Sequence, residues 1–334
     1  MSSTILVTGG AGYIGSHLVQ LLGQMDASER PKVIVLDDLS KGFESAVTYG
    51  ELVVGKVGDY ELVSSLLQKH EIKTVIHFAA HTIVPESVEN PLKYYGNNTC
   101  STRNLLQACQ DNGVKNFIFS STAAVYGIPD APECDEDTFK SPINPYGMSK
   151  LMSEMMLQDL GKATDLNFVI LRYFNVAGSD PQGRIGQSTL NATLLTKVAV
   201  EAALGKREQL KVFGTDYDTH DGTGVRDYIH VVDLAQAHVD ALKYLLAGGE
   251  SQILNAGYGK GFSVREVISM VEKVHGQPLN VVEEDRRAGD PPILIAKCDK
   301  IKTVLNWVPK YNDLEIIVRS AYEWEKKLMA EQDS

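Results

Sequence analysis

The sequence predicts an α/β protein built on a doubly wound parallel sheet, with a smaller C-terminal α/β lobe. Three observations carry this reading. Short apolar runs alternate with amphipathic helical stretches through the first half of the chain, the first run ends in a glycine-rich turn, and the alternation breaks after Asn175. Apolar strands separated by helices imply parallel pairing with both sheet faces covered. Ligands in such folds lie at the carboxyl ends of the strands.

The first strand is expected at residues 5–7, with a helix directly behind the glycines that follow it. Further strands are expected at 33–36, 52–54, 75–78, 117–120 and 168–171, short runs rich in Val, Ile, Leu and Phe. Apolar residues at helical spacing predict helices over 61–68, 92–110 and 146–160. The first is amphipathic in the ordinary way. The second and third carry more apolar positions than one buried stripe needs.

Beyond Asn175, residues 176–189 are polar and glycine-rich and read as a loop over a site. Helices are expected over 191–204, 232–246, 264–275, 299–305 and 314–329, with 216–226 as a polar loop. The division that results is a main body over 1–175 and a lobe over 176–334, which returns some strands and helices to the main sheet. The last four residues are expected to be disordered.

Composition narrows the function. At 334 residues, with 43% hydrophobic and 22% charged content, the chain is an ordinary globular protein. A net charge of −11 argues against nucleic acid as a partner, while leaving room for a phosphorylated small molecule held by a few arginines. Cys100, Cys109, Cys134 and Cys298 form no Cys-x-x-Cys pattern and read as reduced thiols of a cytoplasmic protein. A first strand so near the start leaves no room for a signal peptide, and no apolar run approaches the ~18 residues of a membrane span. A soluble protein with no membrane partner is expected.

Gly10-x-Gly12-x-x-Gly15 satisfies the dinucleotide fingerprint of a Rossmann-type sheet, and Gly9 extends it. Such glycines permit a tight turn, close backbone approach to a pyrophosphate, and packing of the helix on the strand. Asp37 ends the next strand, where an acidic side chain accepts hydrogen bonds from the adenosine ribose. Asp37 and Asp38 together would repel a 2′-phosphate, so the expected cofactor is NAD.

Tyr146 and Lys150 stand at Tyr-x-x-x-Lys spacing on an expected helix, which places both on one face. A phenol titrates near about 10, too high for a base at neutral pH, and a nearby ammonium and an oxidised nicotinamide both favour the phenolate. The strand before it ends in Phe119-Ser-Ser-Thr122, whose hydroxyls are expected to emerge at the cofactor, with Thr122 holding a substrate hydroxyl. Tyr322 and Lys326 repeat the spacing, but in a charge-rich terminal helix where they read as a solvated pair. His77 and His81 straddle a strand end, so no metal site is expected. Arg226 and Arg287, beside glycine and aspartate, read equally as surface charges or as phosphate and ribose contacts.

Taken together, Thr8-Gly-Gly-Ala-Gly-Tyr-Ile-Gly-Ser-His17, Val75-Ile-His-Phe-Ala-Ala80, Tyr94-Tyr-Gly-Asn-Asn98, Ser120-Ser-Thr-Ala-Ala-Val-Tyr-Gly127, Pro145-Tyr-Gly-Met-Ser-Lys150, Leu171-Arg-Tyr-Phe-Asn175 and Gly222-Thr-Gly-Val-Arg-Asp-Tyr-Ile-His230 resemble the UDP-glucose 4-epimerase family. That family is a branch of the extended short-chain dehydrogenase/reductases. The resemblance implies that Tyr146 takes the proton from the sugar O4 while C4 gives hydride to NAD⁺. The keto sugar then turns its other face and takes the hydride back, interconverting UDP-glucose and UDP-galactose.

By the same resemblance, Gly9, Gly12 and Gly15 hold the pyrophosphate, Asp37 the ribose and Asp59 the adenine. Phe78, Asn97 and Phe174 line the nicotinamide end. Tyr13, Ile14, Asp38, Tyr60, Ala79, Ala80 and Ser120 complete the cofactor contacts, with Lys150 beside Tyr146. Asn175, Phe213, Arg226, Arg287, Asp290 and Leu294 join Thr122 and Tyr146 at the UDP-sugar. The implied assembly is a homodimer.

Three positions depart from the family pattern. The loop Ala80-His-Thr-Ile-Val84 lacks a lysine that many members carry, Leu194 replaces a polar residue, and Leu294 stands where some relatives have tyrosine. The leucine at 294 leads to the expectation that N-acetylated UDP-sugars are also accepted. Ala123 and Ala124 occupy the places where a dehydratase would carry its acid pair. The readings that remain beside the main one are 4-epimerisation of a UDP-pentose or UDP-uronic acid, and a catalytically silent NAD-binding sensor.

Overall fold

The structure, a computed structural model, describes residues 3–189, 192–287 and 290–332. In chain order the first strands are β1 (Thr4–Thr8), β2 (Lys32–Asp37), β3 (Glu51–Val54), β4 (Thr74–His77), β5 (Asn116–Thr122), β6 (Glu133–Cys134) and β7 (Asn167–Tyr173). The rest are β8 (Asn175–Ala177), β9 (Leu210–Phe213), β10 (Val225–His230), β11 (Gln252–Ala256), β12 (Gly261–Ser263), β13 (Val281–Glu284) and β14 (Ile293–Ala296). The helices begin with α1 (Tyr13–Gly23), α2 (Tyr60–Lys69), α3 (Val84–Glu89), α4 (Pro91–Tyr94), α5 (Ser101–Asp111) and α6 (Pro145–Ala163). They continue with α7 (Leu195–Ala203), α8 (Val231–Leu246), α9 (Val264–His275), α10 (Asp299–Leu305) and α11 (Leu314–Gln332).

The main sheet runs β11-β7-β5-β4-β1-β2-β3, and each neighbouring pair is parallel. The strand side chains alternate between two apolar layers. Ile5, Val7, Val33 and Val35 enter the layer shared with α1 and α8, while Leu6, Ile34 and Leu36 enter the layer shared with α2, α5 and α6. Both faces are therefore dry, which is why these strands are continuous apolar runs. The chain reverses its winding direction between β1 and β4, and the crevice there opens at their carboxyl ends.

A second sheet, β12-β10-β14-β6 with β8 beside β10, forms the lobe with the short parallel pair β13-β9. A separate buried cluster joins α7, α9 and α11 beneath it. β11 belongs to this later half of the chain yet pairs with β7 in the main sheet, and α8 lies beside α1.

Several expectations need correction. The helix expected over 92–110 is broken: Tyr95–Cys100 is a π-helical turn between α4 and α5. The wider turn sets Asn98 where its amide donates to His81 O at 3.0 Å and Ser149 Oγ at 3.0 Å, and its oxygen accepts from His81 N at 2.8 Å. Val225 and Arg226, read as loop, begin β10, and Val176 and Ala177 lie in β8. Helix α7 starts at Leu195; Asn191, where that helix was expected to open, lies outside the described residues, as do Asp333 and Ser334 of the tail. Tyr322 is not solvated: it is buried in the lobe's core with its hydroxyl 3.0 Å from His275 Nδ1.

Candidate active site

The glycine turn sits where β1 ends. Gly9 has φ +72° and a Cβ there would lie 2.5 Å from Ala79 N; one at Gly15 would lie 2.2 Å from Gly9 O. The turn thus packs directly on the backbone that follows β4, and Phe78 N donates to Thr8 O at 2.9 Å. Gly12 is the N-cap of α1 and offers no side chain to the first-turn N–H groups. A bare helix N-terminus over a backbone cradle is what a pyrophosphate requires, so these residues fit a dinucleotide.

Asp37 closes the cradle. Its carboxylate is buried and accepts from Ala11 N at 3.0 Å and Leu39 N at 2.9 Å. Burial pushes its carboxyl up, opposed by those two hydrogen bonds. A carboxylate has lone pairs to spare beyond two donors, so ribose hydroxyls can still be met. Asp38 is exposed and accepts from Ser40 N at 3.0 Å. Asp59 caps α2 by accepting from Leu62 N at 3.0 Å, and the adjacent Tyr60 hydroxyl donates to Asp111 at 2.8 Å. In the loop lacking the family lysine, Asn98 holds the His81 backbone from both sides.

The Tyr146/Lys150 pair is positioned by β5 and α6. Asn144 caps α6 by accepting from Gly147 N at 2.8 Å, and Pro145 opens its first turn. This entry brings Tyr146 beside Thr122 at the end of β5, near enough for the threonine hydroxyl to bear on the phenol's titration. Tyr146 is buried; burial pushes its phenol up and the neighbouring Thr122 hydroxyl counters this. Lys150, one turn on, donates to Ser120 O at 2.8 Å and stacks on Phe119 at 4.8 Å. Burial brings its ammonium down to about 7, against the pull of the Glu154 carboxylate.

The expected row of emerging hydroxyls is only partly there. Ser120 Oγ is 2.7 Å from His238 Nε2 and Ser121 Oγ donates to Glu154, so Thr122 is the hydroxyl that meets Tyr146. Sequence reasoning missed the groups beneath. Glu154 and Arg172 form a fully buried ion pair at 2.6 Å, and Arg172 also donates to Tyr126 Oη at 3.1 Å. Tyr126 Oη in turn donates to Asn255 at 2.6 Å. The signal was available: Glu154 lies four residues after Lys150, on the same helix face.

On the lobe side, Arg226 and Leu294 are register partners on β10 and β14. Arg226 is half-buried and donates to Val225 O at 2.9 Å, and Leu294 is buried in the cluster that includes Val125 and Phe174. The Arg287 guanidinium stacks 3.8 Å from the Phe213 ring, and Asp290 is exposed nearby in sequence. Asn175 opens β8, paired with Tyr228. Phe78 packs on His238 at 4.6 Å, and Asn97 donates to Asn98 at 3.1 Å. The glycine turn, Asp37, Phe78 and Thr122 thus lie at the carboxyl ends of β1, β2, β4 and β5, with Arg226, Leu294, Phe213 and Arg287 on the lobe's strands and the segment after them.

Residues 5–257 match the model of the NAD dependent epimerase/dehydratase family. The chain is 52% identical to UDP-glucose 4-epimerase of Azospirillum brasilense over 98% of its length and 93% of that protein. It superposes on UDP-glucose 4-epimerase from Brucella ovis in complex with NAD with a TM-score of 0.92, at 42% identity, covering 96% of this chain and 98% of that one. For the UDP-Glc/GlcNAc 4-epimerase of Campylobacter jejuni the TM-score is 0.85 at 48% identity, over 98% of this chain and 100% of that one. With the glycine turn, the acidic end of β2 and the Tyr146/Lys150 pair already in place, the chain belongs to the NAD dependent epimerase/dehydratase family.

Proposed function

We propose that this protein interconverts UDP-glucose and UDP-galactose by reversible oxidation at the sugar C4, with NAD as its cofactor. One observation carries the chemistry: a buried phenol, Tyr146, beside the Thr122 hydroxyl and one helical turn from a buried lysine, stands at the carboxyl edge of a sheet whose glycine turn fits a dinucleotide. NAD, when bound, supplies the hydride acceptor.

The chain's own residues handle the proton and the geometry. Tyr146 accepts the O4 proton as C4 is oxidised and returns one when it is reduced. Thr122 holds that hydroxyl against the phenol. Lys150, brought down by burial to about 7, adds positive charge near the phenol in its protonated form and loses it above that pH. Gly9, Gly12 and Gly15 take the pyrophosphate and Asp37 the ribose. Asn175, Arg226, Arg287 and Asp290 take the UDP, the arginines by charge-assisted hydrogen bonds. Ala123 and Ala124 follow Thr122 and carry no acid for elimination, which favours epimerisation over dehydration.

The test is incubation of purified protein, without added cofactor, with UDP-galactose, UDP-N-acetylgalactosamine and UDP-arabinose separately. Formation of UDP-glucose from the first is expected, and its absence would overturn the reading. The Campylobacter jejuni relative is named for both UDP-Glc and UDP-GlcNAc, and Leu294 in place of a tyrosine supports the same breadth here.

We further propose a cytoplasmic homodimer. The four cysteines are free, and no helix among the described residues is long and apolar enough to cross a membrane. Met152 and Met155 on α6 are exposed, as are Val88 and Leu92 on α3 and α4, and a second copy packing there would cover them. Light scattering at micromolar concentration should give twice the 36.6 kDa chain mass.

A further inference from the structure

Helix α1 does more than present its first turn to the cofactor. Tyr13 and Gln20 on one of its faces, with Gln24 at its C-cap, bind the polar segment 178–189 of the lobe. Tyr13 Oη donates to Gly178 O at 2.6 Å, and Gln20 Nε2 donates to Asp180 Oδ1 at 3.0 Å. The Gln24 side-chain oxygen, in the amide orientation that satisfies both groups, accepts from Arg184 at 2.8 and 3.1 Å.

Asp180 is the centre of this contact. It is 4% exposed and also takes Arg184 Nε at 2.8 Å, Nη2 at 2.7 Å and N at 3.0 Å. The far side of the segment is fastened separately to α11. Ser179 Oγ donates to Ser320 O at 2.6 Å, and Lys327 Nζ donates to Gly183 O at 2.8 Å. Removing the α1 contact therefore leaves the segment attached to the lobe but free to shift against the helix.

We propose that Asp180 and Gln20 are positioning residues for the nucleotide-sugar site, locking the 178–189 segment to the helix that faces the cofactor. This rests on the function proposed above. The segment runs from β8, which begins with the UDP contact Asn175, towards α7, which Leu194 precedes. A shift of the segment displaces both ends of that side of the UDP site together. Tyr146, Thr122 and Lys150 are held by β5 and α6 and by no bond to this segment. The signature is weaker UDP-sugar binding with intact chemistry, which a general loss of stability would not produce.

The test compares the wild-type holoenzyme with Gln20→Leu and Gln20→Glu, and with Arg184→Met in case the glutamate does not fold. Gln20→Leu removes one hydrogen bond to a buried carboxylate, and Gln20→Glu sets two carboxylates against each other. KM for UDP-galactose should rise about three- to tenfold in Gln20→Leu and further in Gln20→Glu. Arg184→Met, which strips Asp180 of its cation and frees the segment, should raise KM as Gln20→Leu does. In every variant kcat should stay within about twofold, with the NAD content per chain unchanged. UDP affinity by titration calorimetry should weaken in the same order. Wild-type KM and UDP affinity in all three variants would overturn the inference while the function stands. So would a fall in kcat with KM unchanged. A wild-type protein that neither converts UDP-galactose nor binds UDP would overturn the function, and the inference with it.

Discussion

Lys150 Nζ donates to the Ser120 carbonyl at 2.8 Å and is 2% exposed, so the charge that would favour the Tyr146 phenolate is itself withdrawn from water. The cost is visible in its titration near 7. In nucleotide-free protein the unfolded lysine stays protonated to about 10.4, so between about 7 and 10 the folded state binds fewer protons. Stability then rises with pH across that window and is lost as pH falls towards 7. Relative to Lys150→Met, the wild type should gain about 2 kcal/mol of unfolding free energy between pH 7 and pH 9. Denaturant titrations of both proteins at the two pH values measure this. A constant difference would show that Lys150 keeps an ordinary lysine titration.

Removal of the phenol tests the base. Tyr146→Phe should lower kcat by about 10²–10⁴ while retaining NAD and UDP-sugar binding, since only the proton acceptor is lost. Thr122→Ala should cost less, because it removes the neighbouring hydroxyl that lowers the phenol's titration and leaves the phenol. Steady-state turnover of UDP-galactose with both variants decides it. Near-normal turnover by Tyr146→Phe would mean that another group carries the proton.

Cofactor choice follows from Asp37, which holds the glycine turn through Ala11 N and the following loop through Leu39 N. A 2′-phosphate beside that buried carboxylate and Asp38 meets two like charges. Denatured wild-type protein should release NAD⁺ or NADH and essentially no NADP, resolved by ion-exchange chromatography. Asp37→Ala removes the ribose acceptor and loosens the turn, so bound NAD per chain should fall about tenfold or more. NADP as the main released nucleotide would remove the role given to Asp37.

The main sheet was legible because its strands are buried on both faces and so are written as continuous apolar runs, Ile5 to Val7 and Val33 to Leu36 among them. The lobe's strands were not. Residues 293–296 alternate half-buried and buried, and their pairing depends on β10 and β6, far away in sequence. The π-helical turn at 95–100 was invisible for a similar reason: Asn98 is set by His81 and Ser149, one before it and one long after. Tyr146 and Lys150 could be found from spacing plus the strand before them. The nearness of Glu154 to Lys150 was readable from the same four-residue spacing and was missed, whereas the inward turn of the Ser120 and Ser121 hydroxyls emerged only with the fold.

Breadth towards the sugar's C2 group turns on Leu294. Register partners in a parallel pair share a sheet face, so Leu294 lies on the same face as Arg226, a UDP contact in the proposed site. It is also buried, at 8% exposure, in the cluster containing Phe174, which the nicotinamide end would meet. A leucine there is shorter than a tyrosine by most of a ring and has no hydroxyl to satisfy, leaving room beside C2 for an acetamido group. The wild type should therefore convert UDP-N-acetylgalactosamine as well as UDP-galactose. Leu294→Tyr should abolish the first activity and spare the second. Because the site is buried, the larger ring is also expected to cost about 1–3 kcal/mol of stability. Both activities are therefore measured well below the variant's melting temperature. If Leu294 served only the lobe's packing, the two substrates would fall together in Leu294→Tyr, in proportion to the folded fraction. Selective loss of the acetylated substrate is the outcome that assigns Leu294 to the pocket wall.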